Sequence, residues 1–352
     1  MPFSPASPSA IKAVDDLLSG VGLDHARRKT RHFVLTRTRK DQGLSREDLV
    51  QPKPARPIAK NRLDIVRVPG WSDHSWLVHG FSSRTGGKTT VYRPDQRAGE
   101  LNLSFTAADT EEAVSANRRL FLDAVLAEAK AKPRSLVTLR QIHSSLIRRV
   151  GRTDAGTKAI LKGDGLMTDE PGVVLGIQTA DCIPVLVADT RRHAVAAFHA
   201  GWRGTLKRIV ENGVGRMRLE FKSRPEDMIA AIGPGIGQCC YAVGEEVRSE
   251  FESQFAYAPE LFRDVYDSDP IKDKYPLLFL TARAPGHSPI GPSLHLDLME
   301  ANRRQLLDAG LRADAIHLVG DCTSCRNDRY FSHRADRGFT GRMLSVIGVR
   351  SR

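Results

Sequence analysis

Two apolar runs set almost back to back, IPVLVAD at 183–189 and HAVAAFHA at 193–200, constrain this chain more than any other feature. Both have strand length, and both are apolar at consecutive rather than alternate positions, so each needs cover on two faces. Strands of that kind belong in the middle of a layered body. Further runs of similar texture stand at 136–139 (LVTL), 173–177 (VVLGI), 228–233 (MIAAIG) and 345–349 (SVIGV). Between them, Glu111–Ala129, Thr205–Phe221 and Asp297–Ala309 carry apolar residues at helical spacing, the last stopping at Gly310. The expected fold class is α+β: a single compact domain of mixed β-sheets layered with helices, plus an N-terminal extension.

Residues 1–62 form that extension. They hold a short amphipathic stretch at Ile11–Leu18, a basic run from Arg27 to Lys40 and the proline-rich QPKPARP at 51–57, a texture that suits a flexible or loosely docked appendage. Residues 63–352 form the expected catalytic body, with 256–292, polar and punctuated by Pro and Gly, read as a surface insertion. At 352 residues and 41% hydrophobic content the chain has ample material for a buried core. No window reaches the roughly eighteen consecutive apolar residues of a membrane span, and the N-terminus lacks a basic-then-apolar leader pattern, so a cytoplasmic location is expected.

The formal charge is +12, and half of it lies in residues 1–60, where twelve Lys/Arg face six Asp/Glu. The rest is mildly basic and lacks the interleaved aromatics that stack on single strands, so nucleic acid is not an expected partner. Attraction of a small anion such as phosphate accounts for the charge equally well. The five cysteines, Cys182, Cys239, Cys240, Cys322 and Cys325, are an odd set containing an adjacent pair. They make a poor disulfide framework and fit a reducing compartment.

Chemistry concentrates in residues 164–205. If the two opening runs pair as an antiparallel hairpin through Asp189–His193, Cys182 and His199 come to the same end of the sheet. His143, in Leu-Arg-Gln-Ile-His-Ser after the LVTL run, is a third candidate. Two imidazoles and a thiolate suit zinc, and three protein ligands leave a position open, as catalytic sites do. Spacing alone leaves another reading standing: strand-end histidines are often satisfied by hydrogen bonds, and a buried cysteine often serves as a small hydrophobe.

The segment HGFSSRTGG at 79–87 gathers backbone amides, hydroxyls and the Arg84 guanidinium in one turn, an inventory for holding an oxyanion. Asn102 in Leu-Asn-Leu-Ser, Arg203 in Gly-Trp-Arg-Gly and His333 in YFSHR complete the candidate substrate or phosphate ligands. GPGIGQCCY at 233–241 follows a strand but lacks GxGxxG spacing, so NAD or FAD is not expected. The CxxC at Cys322–Cys325 has no second CxxC beside it and is read as buried thiols in preference to a metal or redox motif.

The ordered blocks HGFSSRTGG, LNLSF, RQIHS, DGLMTD, TADCIPVLVAD, FHAGWRGT, AIGPGIGQCCYAVGEEV, LDLMEANRRQL and YFSHRADRGFTGRM, spanning about Ile65 to Val349, closely resemble the polyphenol-oxidase (laccase-like) domain proteins. That family is also described as zinc-dependent purine nucleoside phosphorylases. The resemblance implies metal ligands at His143, Cys182 and His199. It further implies phosphorolysis of adenosine, inosine and guanosine, cleavage of methylthioadenosine, and deamination of adenosine. Arg84 and Asn102 match the family's N-terminal anion-binding motif. Gly235 and Gln238 depart from residues frequent at those places among relatives, and neither touches the proposed ligands.

Two other functions compete: copper-dependent phenol oxidation, as the family's older name says, and a cysteine hydrolase acting on cell-wall precursors with Cys182 as nucleophile and His199 as base. A multicopper oxidase needs many more histidine ligands than these, which favours zinc over copper.

Overall fold

Ile183–Asp189 and Ala194–Ala200 pair antiparallel along their whole length, with Ile183 opposite Ala200 and Pro184 opposite His199. The computed structural model describes residues 63–93, 99–130, 135–156, 159–266 and 292–351, all within the unit Leu44–Arg352. The basic extension 1–62 and residues 267–291 of the expected surface insertion lie outside the described residues. Within that insertion, Ala258–Leu261 is helical and Phe262–Val265 pairs antiparallel with Ser293–Leu296.

The hairpin occupies the middle of a six-stranded sheet. In order the strands are Ile316–Leu318, Met228–Ile232, Ile183–Asp189, Ala194–Ala200, Gly165–Thr168 and Ile147–Arg149. A five-stranded sheet holds Ile65–Val66, Leu77–Ser82, Met343–Val349, Val173–Thr179 and Ser135–Thr138. Each mixes antiparallel with parallel pairs.

Side chains of successive residues leave a strand on opposite faces, which explains the unbroken apolar runs. Leu186, Ala188, Val195 and Ala197 pack toward the second sheet, against Leu175, Ile177 and Ile347. Val185, Val187, Ala196 and Phe198 turn the other way, onto Val210, Val214 and Met217 of helix Ile209–Phe221. Beyond the five-stranded sheet, Val174, Leu344 and Val346 meet Phe121 and Val125 of helix Glu111–Glu128. The result is helix, sheet, sheet, helix: an α+β body in which both central strands are buried twice. Each fully buried Val, Leu or Phe stabilises this stack by about 1.5–3 kcal/mol.

Gly213 makes the closest of these layers possible. A Cβ there would lie 2.1 Å from Cζ of Phe198, so only glycine lets the helix approach the sheet. Glycine inside a helix costs about 1 kcal/mol against alanine, which the packing offsets.

The helices keep close to their expected spans with one instructive break. Thr205–Phe221 is two helices, Trp202–Leu206 and Ile209–Phe221, parted where Arg208 turns to φ 55°. Helix Leu298–Asp308 starts at Asp297, whose side chain caps Glu300 N at 2.9 Å. Asn302 and Gln305 of this helix are buried and hydrogen-bond Thr205, the Gln305 amide to its carbonyl at 2.6 Å. That network fixes the short helix directly following His199.

Candidate active site

The hairpin register sets Cys182 and His199 at one end of the six-stranded sheet, and the loop after Leu139 brings His143 across to them. Sγ of Cys182 lies 4.0 Å from Nε2 of His143, the two imidazole rings are 4.9 Å apart, and the three ligand atoms all lie within 4.8 Å of one another. Donor atoms around a tetrahedral zinc are separated by about 3.3–3.8 Å, so small side-chain adjustments close this set on one ion. His199 is buried, Cys182 half-buried and His143 exposed, which leaves the outer side of the trio open.

Asp164, fully buried, organises the trio. Its carboxylate accepts Nδ1–H of His199 at 2.8 Å, the backbone N–H of His143 at 3.0 Å, and both the N–H and hydroxyl of Ser144 at 2.6 and 2.7 Å. With Nδ1 engaged, His199 offers Nε2 to the centre. The same grip holds His143 in the left-handed region at φ 55°. Such a conformation persists only where the surroundings impose it.

Electrostatics follow from this geometry. Burial works against the Asp164 anion, but hydrogen bonds from His199 and Ser144 outweigh it and hold the carboxyl at about 2. Burial also opposes charge on His199, yet the neighbouring Cys182 thiolate and the Asp164 bond raise it to about 9. Burial pushes the Cys182 thiol up, while the His199 charge and the His143 hydrogen bond bring it down to about 6. The thiolate is therefore available near neutral pH, as a metal ligand requires.

Two further constraints hold Cys182. Its neighbour Asp181 sits at φ 91°, and its carboxylate accepts from Thr323 Oγ1 and from the Arg334 backbone N–H, each at 2.7 Å. Gly201 faces the trio: a Cβ there would lie 3.0 Å from Cys182 Sγ and 3.3 Å from His143 Cδ2.

The trio lies in the wall of a cavity of about 680 Å³, a size that suits a small organic ligand. Arg140, Arg334 and Arg342 line it, together with Phe105, Gln178, Tyr241 and His333. Of the candidates for substrate or phosphate, His333 stands in this lining. Arg84 does not: it is buried, with Nε 2.6 Å from Glu100, a longer contact to Asp336 at 3.3 Å, and its guanidinium over the Phe331 ring. Asn102 is fully buried and acts at one remove, its Oδ1 accepting from the backbone N–H groups of Ser104 and Arg342, both cavity residues. Arg203 is exposed and stacks on Trp202.

Sequence reasoning missed Arg140, Arg342 and the role of Asp164, although Asp164 opens the DGLMTD block; Arg334 stands in the YFSHR stretch already named for His333. It also missed a second convergence: Cys239, Cys240, Cys322 and Cys325 bring their four sulfurs within 4.8 Å of one another. The signal was the adjacent Cys239–Cys240 pair, which supplies the partners that the lone CxxC lacked.

Comparison with known proteins places this arrangement. Residues 78–350 match the family described as multi-copper polyphenol oxidoreductase laccase. Purine nucleoside phosphorylase YlmD of Geobacillus stearothermophilus is 34% identical over 287 residues, covering 78% of this chain and 94% of that protein. A purine nucleoside phosphorylase of Bacteroides thetaiotaomicron is 32% identical over 284 residues, covering 79% and 93%. Among solved structures, the hypothetical protein YfiH of Bacillus licheniformis superposes with a TM-score of 0.66 at 30% identity, covering 83% of this chain and 98% of that one. YlmD of Geobacillus stearothermophilus does so with a TM-score of 0.63 at 31% identity, covering 86% and 100%. Fold, ordered motifs and chain coverage agree, and the protein belongs to the multi-copper polyphenol oxidoreductase laccase family.

Proposed function

We propose that the protein is a zinc-dependent purine nucleoside phosphorylase that also deaminates adenosine, with His143, Cys182 and His199 holding the metal. The observation that carries this reading is the placement of two imidazoles and a thiol, their donor atoms within 4.8 Å of one another, in the wall of a cavity that also presents three arginines. The names of the relatives point the same way. Adenosine, inosine, guanosine and methylthioadenosine are the proposed substrates, with phosphate as co-substrate.

A zinc ion held by His143, Cys182 and His199 would supply Lewis acidity and a water molecule of lowered pKa for attack on an aromatic ring carbon. The protein's own groups do the rest. Arg140, Arg334, Arg342 and His333 bind and orient the phosphate; Phe105 and Tyr241 flank the base. Phosphate oxygen forms the new bond to ribose C1′ as the C1′–N9 bond breaks. Its electron pair departs with the purine, which takes a proton, and positioning together with preorganised charge lowers the barrier. Arg84 and Asn102 contribute through the loops they hold, and Arg203 through the turn after His199.

Incubation of the purified full chain with inosine, with and without phosphate, tests this. Hypoxanthine released only with phosphate supports phosphorolysis, and its absence rejects it; ammonia release from adenosine tests deamination separately.

One observation favours a second reading. Asp164, His199 and Cys182 also form an orienter, a base and a nucleophile in sequence, the arrangement of a cysteine hydrolase. His143 argues for the metal, since a hydrolase has no use for a third donor on the thiol. Rapid alkylation of Cys182 by iodoacetamide in zinc-loaded protein decides for the hydrolase, and protection decides for the metal. Copper-based phenol oxidation, which the family's description implies, needs more imidazoles than the two that the metal-competent clusters contain among the described residues. Metal analysis separates zinc from copper. Among the described residues no helix is long and apolar enough to cross a membrane.

A further inference from the structure

The four remaining cysteines converge from two loops. Cys239 and Cys240 follow the strand Met228–Ile232, and Cys322 and Cys325 follow Ile316–Leu318, the parallel neighbour of that strand. The loops continue the pairing beyond the sheet, with Gly235 bridged to Cys322 and the Thr323 N–H donating to Gly235 O at 2.9 Å. Sγ of Cys325 lies 3.3 Å from that of Cys239 and 3.4 Å from that of Cys240, and no disulfide joins any of the five cysteines.

We propose that Cys239, Cys240, Cys322 and Cys325 form a second metal site, a tetrathiolate centre for one structural zinc ion, separate from the His143, Cys182 and His199 trio. A zinc ion about 2.3 Å from each of four tetrahedral sulfurs sets them about 3.8 Å apart, and here all four lie within 4.8 Å with two contacts slightly under that spacing. A polynuclear iron–sulfur cluster spreads its four thiolates over a wider shell than this, because bridging sulfides stand between its irons. The set has four protein ligands and no open position, as structural sites do.

Three details mark a built site. Cys239, Cys240 and Cys322 are buried and Cys325 is half-buried. The Cys325 backbone N–H points at Cys322 Sγ at 3.5 Å, donation that stabilises a thiolate within a CxxC turn. Gly237 leaves the sulfurs room: a Cβ there would fall 3.1 Å from Cys322 Cβ and 3.3 Å from Cys239 Sγ. Binding of Zn²⁺ releases the thiol protons to solvent and leaves all four sulfurs as thiolates, with no change of oxidation state.

The site has a structural task at the active centre. Thr323, inside the CxxC, donates to Asp181 Oδ1, and Ile236, three residues before Cys239, donates its N–H to Asp181 O at 2.7 Å. Both loops thus end on the residue that presents Cys182. An ion clamping the cysteine quartet locks the two loops together and fixes Asp181 at its positive φ.

Metal content of the full chain, purified reduced and without chelator, tests the assignment. We expect about two zinc ions per chain, with about one retained by Cys322→Ser/Cys325→Ser and about one by His143→Ala/His199→Ala. If the serine variant does not fold, the His143→Ala/His199→Ala protein loaded with Co²⁺ decides: intense sulfur-to-cobalt absorption of a tetrathiolate confirms the site. Wild-type protein with one zinc that disappears in the His143→Ala/His199→Ala variant overturns the proposal. So does iron in place of zinc, a disulfide among the quartet in reduced preparations, or cobalt-loaded variant without thiolate absorption.

Discussion

One carboxylate oxygen, Oδ1 of Asp164, accepts Nδ1–H of His199 at 2.8 Å and the backbone N–H of His143 at 3.0 Å. Two of the three proposed metal donors are therefore aimed by one carboxylate outside the donor set. Asp164→Asn keeps the shape but loses the charge, and its amide N–H₂ faces the Ser144 N–H and hydroxyl that now donate to the carboxylate. Loss of such an orienting partner lowers metal affinity by about 10–100-fold. Chelator competition on purified protein checks this; an unchanged affinity would show that the trio orients itself.

A separate prediction concerns acid stability, and it rests on His79, away from the trio. His79 is buried beside Trp71, its ring 5.1 Å from the indole, and its Nε2 accepts the Val68 N–H at 3.2 Å. Burial, with the Arg67 charge adding to it, lowers its pKa to about 4. The folded group is thus less basic than the unfolded one near 6.5, so its contribution is fully present above pH 6.5 and is lost as pH falls through 4. About 3 kcal/mol is lost across that window. Urea unfolding at pH 7.5 and pH 4 measures the loss, and His79→Gln should reduce it; an equal loss in both proteins rejects the role.

Arg84 was singled out from sequence as an anion ligand, and its geometry separates holding an anion from holding a loop. The guanidinium meets Glu100 at 2.6 Å in a buried pair, and the same side chain donates to Asn327 O at 3.0 Å. Arg84→Met leaves Glu100 as a buried carboxylate without its partner, at a cost of about 3–5 kcal/mol. Arg140→Ala or Arg342→Ala, in the cavity lining, should instead raise KM for phosphate by about tenfold or more with stability little changed. Denaturation curves and phosphate titrations of the three variants check the division. A higher phosphate KM in a fully stable Arg84→Met protein would reverse it.

The layered fold and the Cys182–His199 end of the hairpin were legible because both are local. Consecutive apolar residues in 183–189 and 193–200 demand cover on two faces, and a short connection between them dictates antiparallel pairing and so the shared end. The cysteine quartet was less legible. It assembles through the parallel pairing of Met228–Ile232 with Ile316–Leu318, a contact between segments far apart in sequence. Arg140 and Arg342 were hidden for a related reason: Arg140 follows the strand Ser135–Thr138, Arg342 closes the connection between Ile316–Leu318 and Met343–Val349 that also carries Arg334, and they carry no pattern until these two loops meet. Arg84, by contrast, sits in a glycine-rich turn with an anion-site texture, and nothing local reveals that Glu100 and Asp336 already face it.

Gly201 offers the sharpest separation of site from scaffold. It is the N-cap of helix Trp202–Leu206 at φ −71° and ψ 168°, a conformation that alanine adopts without strain. Alanine is a poorer N-cap than glycine by roughly 1 kcal/mol, so Gly201→Ala should stay folded and lose only about that much stability. Its methyl group, however, would lie 3.0 Å from Cys182 Sγ and 3.3 Å from His143 Cδ2, tight enough that both side chains must shift to make room. Cys182 is anchored through Asp181 and His143 through Asp164, so the strain falls on the ligand spacing rather than on the backbone. Zinc affinity at the trio should drop by about tenfold or more, and phosphorolysis with it. Urea denaturation beside chelator competition reads the two effects independently, and a variant of wild-type stability and wild-type zinc affinity would show that the methyl group is accommodated without disturbing the centre.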